Sequence, residues 1–132
     1  MSITHIVLFQ FKQDATIEAV KNACKQMLSL KDRCIHPSTG KPYIQAAIGG
    51  RDNSPEGAQV SYTTIPDGQN EGLRGANPAV QGGITHAFVV EFASATDRDY
   101  YVASDPVHQG FVKSLDGLVE RAQVVDFTPS VL

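Results

Sequence analysis

Three of the four histidines, His5, His86 and His108, stand on segments rich in aromatic and aliphatic residues. His5 lies in ITHIVLFQF, His86 in GGITHAFVVEF, and His108 two residues after Pro106 in YYVASDPVHQGFV. A neutral imidazole exchanges a proton near pH 7, because its unperturbed pKa is about 6.5. Removing a proton beside a carbonyl, the step that opens an aldol-type ring closure, needs such a base. It also needs a donor that polarises the carbonyl, a role open to Tyr43, Tyr100 or Tyr101. His86 and His108 are therefore the candidate acid–base pair, and His5 the candidate lining of the same apolar space. Desolvation beside Phe88 would hold His86 in its neutral, basic form. Phe9, Phe88, Tyr100, Tyr101 and Phe111 are the candidate walls for a hydrophobic substrate. The bland alternative stays open: a histidine can be a hydrogen-bonded core residue, and aromatic residues at these spacings also build ordinary cores.

Other chemistry is poorly supported. Three histidines could bind zinc, but they lie on separate segments and no Cys or carboxylate stands at ligand spacing, so neither a metal nor another cofactor is expected. GGRDNSPEG has glycines without the phosphate-loop pattern and does not lead into a helix. Asp105 before Pro106 reads as a helix cap, Asp126 as an edge or dimer residue, and His36 as part of a turn.

The elements that must position these groups follow from periodicity. In Ile3 to Lys12 every second residue, Ile3, His5, Val7, Phe9 and Phe11, shares one face. Asp14 or Thr16 can cap the following helix, whose apolar stripe would be Ile17, Val20, Cys24, Met27 and Leu28. Lys31 and Arg33 suit its C-terminal end. Tyr43 to Ile48 reads as a short strand ending at Gly49 and Gly50. A long polar stretch to Gly83 follows. Ile84 to Phe92 alternates again, and Ser94 or Thr96 caps a helical region that Pro106 should break and Gly117 end. Ala122 to Thr128 is the last strand. The order β-α-β-β-α-β is that of a ferredoxin-like α+β fold, an antiparallel sheet with both helices on one face. Apolar residues on both sheet faces argue that two copies pack together as a homodimer.

Composition fits this reading. A chain of 132 residues, 42 % hydrophobic and 19 % charged, suits a single domain. The net charge of −3 and the lack of a basic patch argue against nucleic acid and anionic membrane as partners. No apolar run is long enough to span a bilayer, and the alternating start reads as a strand rather than a signal peptide. Two cysteines are too few for a disulfide framework, so a cytoplasmic setting is expected.

ITHIVLFQFK, GGITHAFVVEF, DRDYYVASDPVHQGFVKSL and VVDF together resemble the stress-response A/B barrel domain, the dimeric α+β barrel family. CIHPSTGKPYI and GGRDNSPEG resemble its fungal branch. The resemblance covers most of the chain outside the long polar stretch. It implies a homodimer whose sheets close into a barrel. It also implies kinship with a plant polyketide cyclase that works without a cofactor. That cyclase's pocket histidines fall by motif on His5, His86 and His108. Its tyrosine six residues before the helix His is replaced by Val102, and its His before the Pro by Asp105. The resemblance thus points to a cyclase- or lyase-like enzyme on a hydrophobic, polyketide-like carbonyl compound. A non-catalytic stress-associated domain that binds a small ligand or assembles is the alternative.

Relatives would run from the NSPEG-like turn almost directly into QGGITHAF. Here Val60 to Gln81 intervenes. Val60-Ser61-Tyr62 can be encoded by a splice-donor sequence, Ala76-Asn77 by a branch site and Gln81 by an acceptor. The segment is expected to be an atypical insertion with the marks of a translated intron.

Overall fold

The computed structural model describes residues 1–55 and 83–132; the expected insertion at 60–81 lies outside them. The elements are β1 (Ile3–Phe11), α1 (Ile17–Arg33), β2 (Ile44–Arg51), β3 (His86–Phe92), α2 (Ala95–Ala103), α3 (Pro106–Ser114) and β4 (Val119–Phe127). The four strands pair antiparallel in the order β2-β3-β1-β4. α1 packs over β2 and against α3, while α2 lies over β1 and β3. This is the expected ferredoxin-like α+β arrangement.

Alternation decides what the sheet buries. Ile3, His5, Val7, Phe9 and Phe11 of β1 are all buried, as are Phe88, Val90 and Phe92 of β3. They meet Ala23, Met27 and Leu30 of α1 and Tyr101 and Phe111 of the second helical region. Each buried Val, Ile, Leu, Phe or Met side chain among them stabilises the fold by about 1.5–3 kcal/mol. Register aligns Ile48, Val89, Ile6 and Val125 in one row across the opposite face. Ile48 and Val125 are more than half exposed there.

Two expectations need correcting. The α1 stripe is offset: Ile17 is 70 % exposed, Leu28 is 37 % exposed, and Ala23 and Leu30 take the core positions. Thr16 is the cap, its hydroxyl accepting from Ala19 N, and this sets the helix phase. β2 also does not stop at the glycines but continues to Arg51. Gly49 lies opposite Phe88, where an added Cβ would overlap the Phe88 ring. The glycine therefore admits the aromatic core residue rather than ending the strand.

The second helical region is split as Pro106 requires. Ser94 caps α2 by accepting from Asp97 N. Asp105 caps α3, with Pro106 in its first turn. Gly117, at φ +84°, makes the turn into β4.

Candidate functional site

β1 and β4 pair so that His5 stands directly opposite Asp126. His5 Nδ1 lies 2.6 Å from Asp126 Oδ1, and Arg98 Nη1 donates to Asp126 Oδ2 at 2.7 Å. An ionised carboxylate only accepts, so the proton sits on His5 Nδ1 and Nε2 is left for other partners. His5 is almost wholly buried, edge-on to Phe92 and Tyr101. A buried imidazole fixed by a carboxylate at one nitrogen is oriented as a base at the other.

His108 reaches the same place from α3. Asp105 Oδ1 accepts from Val107 N at 2.8 Å and His108 N at 3.3 Å, and Oδ2 accepts from Tyr43 Oη at 2.5 Å. This carboxylate is 1 % exposed, so the start of α3 is pinned from inside the core. The His108 ring lies 3.9 Å from that of Tyr101, centroid to centroid. Its Nδ1 is buried and has no hydrogen-bond partner among the described residues. Burial pulls the His108 pKa below its ordinary value; the Tyr101 carbonyl opposes this, His5 reinforces it, and Asp105 opposes it. Burial also pushes the Tyr101 phenol well up, so it remains a donor.

A cavity of about 330 Å³ joins these groups. Val7, Phe9, Phe111, Ala122 and Val124 give it apolar walls, and His5, His108 and Tyr101 border it. Of the residues expected from sequence, His5, Phe9, Tyr101, His108 and Phe111 thus converge. Phe88 is buried beside Phe9 in the core and does not line the cavity. Tyr100 packs instead on His36 and Tyr43, and the Tyr43 hydroxyl is committed to Asp105.

His86 is not brought to His108. It pairs across the sheet with Phe9, whereas His5 pairs with Val90, four residues farther along the strand. That offset is about 13 Å. His86 borders a separate groove with α1 and Arg51. Its Nδ1 lies 3.0 Å from Thr85 Oγ1, whose own proton goes to the Phe9 carbonyl. Nδ1 must therefore be the donor. Burial and then Arg51 lower the His86 pKa.

Two depressed histidines have a consequence for stability. Below about pH 6.5 the unfolded chain takes up protons before the folded one. Stability is complete above that pH and is lost as pH falls toward the folded-state values. The urea midpoint should therefore drop between about pH 7.5 and pH 5. A His86→Gln/His108→Gln double variant should show a smaller drop.

Sequence reasoning missed Asp126 and Arg98 as members of this site. The findable signal was the one carboxylate within VVDF, together with a histidine on the apolar face of the first strand.

A family model, stress responsive A/B barrel domain, matches residues 3–66 and 68–129. The chain belongs to this family. No curated protein sequence matches it. Among solved structures, a protein of Arabidopsis thaliana is 22 % identical, with a TM-score of 0.67, covering 98 % of this chain and 97 % of its own. The hydroxynitrile lyase of Passiflora edulis is 17 % identical, with a TM-score of 0.67 and coverage of 99 % and 95 %. A dimeric ferredoxin-like protein of unknown function from Jannaschia sp. is 16 % identical, with a TM-score of 0.62 and coverage of 97 % and 99 %. At such identities the likeness is one of fold. No helix among the described residues is long and apolar enough to cross a membrane.

Proposed function

We propose that this A/B barrel domain is a cofactor-independent enzyme that moves a proton on a hydrophobic carbonyl compound, polyketide-like in character. The observation that carries this reading is that His5, held by the part-buried Asp126, and His108, whose buried Nδ1 is unpartnered among the described residues, border one apolar cavity. His5 Nε2 removes a proton next to the carbonyl and passes it to neutral His108, whose lowered pKa makes the resulting imidazolium a ready acid that returns it, and Tyr101 donates to the carbonyl oxygen. His86 is left out, because it borders another groove. The Passiflora protein of like fold is a lyase, so this fold houses enzymes. Two free cysteines agree with a cytoplasmic setting.

The test is deuterium uptake from D2O at the carbon between the carbonyls of a hydrophobic 1,3-diketone, followed by NMR. Wild type should accelerate exchange over buffer, and Asp126→Asn should lose most of that acceleration. Wild type exchanging no faster than buffer would sink the enzymatic reading. The protein would then be a binding or assembly domain.

The same proposal includes a homodimer. The row of Ile48, Val89, Ile6 and Val125, with Phe127 beside it on the open face, is the apolar surface a second sheet would cover. A dimeric protein shares the fold. Val125→Asp with Phe127→Asp should convert the dimer to a monomer in light scattering, with the circular dichroism of the fold retained.

A further inference from the structure

α1 carries two apolar stripes: the core takes one fully, while of the second Val20 and Cys24 pack against the core only in part and Ile17 and Leu28 stay exposed. Ala23, Met27 and Leu30 are buried. Ile17, Val20, Cys24 and Leu28, spaced three and four apart, line a groove of about 650 Å³ against the ends of β2 and β3. The stripe runs about 16 Å along the helix. Ile17 at its start is largely exposed. An apolar face of this kind gains nothing from water and calls for an apolar occupant.

The rim specifies the occupant further. Lys21 and Lys25 stand one helical turn apart beside the stripe, and Arg51 faces them from β2. None of the three has an ion-pair partner among the described residues. In a chain of net charge −3, three cations without an ion-pair partner among the described residues ring one apolar trough and favour an anionic headgroup there. His86 adds a polar edge from β3. The groove is distinct from the His5–His108 cavity, with no lining residue in common.

We propose that this groove is a second binding site, selective for an anionic amphiphile such as a medium-chain fatty carboxylate. The alkyl chain lies along Ile17, Val20, Cys24 and Leu28, and the headgroup sits among Lys21, Lys25 and Arg51. This inference stands independently of any reaction at His5 and His108.

Cys24 supplies the reporter, because it borders the groove while Cys34 is wholly buried. The full-length protein is treated with a thiol reagent at alkaline pH, with and without dodecanoate, dodecanol or dodecyltrimethylammonium. Dodecanoate should slow modification of Cys24 and bind about ten-fold more tightly than dodecanol. Lys21→Gln/Lys25→Gln/Arg51→Gln should erase that difference, as should high salt. Cys24→Phe, which fills the trough, should abolish the binding in calorimetry. The proposal is overturned if dodecanoate binds without protecting Cys24, if the triple variant keeps its preference for the carboxylate, or if Cys24 is already shielded before any amphiphile is added.

Discussion

Replacing His108 with glutamine is expected to slow deuterium exchange into a hydrophobic 1,3-diketone by about 10²–10⁴-fold, the usual worth of a positioned acid or base. Glutamine keeps polar atoms of similar reach but cannot gain and lose a proton in this pH range. His108 suits the role because burial leaves it neutral at pH 7 and nothing described occupies its Nδ1. The loss should fall on kcat more than on KM, since Phe9, Phe111 and Val124 still wall the cavity. His86→Gln is the control: it borders the other groove, so its rate should stay within a few-fold of wild type. Equal losses in the two variants would mean that the reacting atoms do not sit between His5 and His108.

Asp105→Ala should cause the largest loss of stability of any single polar substitution. Its carboxylate caps two backbone N–H groups of α3 and accepts the Tyr43 hydroxyl. A lost cap costs about 1 kcal/mol and a buried charge-assisted hydrogen bond about 1.5–3. Removing a buried charge returns part of this, but Tyr43 and two N–H groups would be left unpaired in the core, which fixes the sign. We expect a net loss of about 3 kcal/mol, or roughly 10 °C in Tm for a domain of this size. Tyr43→Phe isolates the phenol's share and should cost about half as much. Calorimetry of the three proteins decides it. An Asp105→Ala protein as stable as wild type would show that α3 is not held from this carboxylate. The same carboxylate, after burial itself, helps push the neighbouring Cys34 thiol up to about 12. That thiol is packing, not a nucleophile.

The fold was legible because its signals are local. Alternation in β1 and β3, the caps at Thr16 and Ser94, and the Asp105-Pro106 break each occupy a few consecutive residues. The β-α-β-β-α-β succession of these signals is what points to the ferredoxin-like arrangement. β2 was less legible for a physical reason. A bulge between Ile44 and Ala46 reverses the facing of the strand, so Ile44 is buried while Ile48 points out. No simple period-two reading survives such an extra residue. The histidines stand out by residue type, and His5 and His108 border one cavity, but the expected pairing of His86 with His108 is not formed. Which of them meet depends on register: His5 lies opposite Val90 and Asp126, and His86 opposite Phe9. Motif alignment gives membership of a strand without giving depth along it. Asp126 reads from sequence only as an edge or dimer residue because its partner stands almost a full chain length away.

That separation has its own kinetic consequence. The contact between His5 and Asp126 closes a loop of 121 residues, the kind of long-range closure that raises contact order and delays folding. β1 can associate with β3 earlier, but the imidazole acquires its orienting carboxylate only when the final strand docks. Chains arrested before that event would hold a nearly assembled domain around an unaligned histidine, so native secondary structure should return during refolding before competence does.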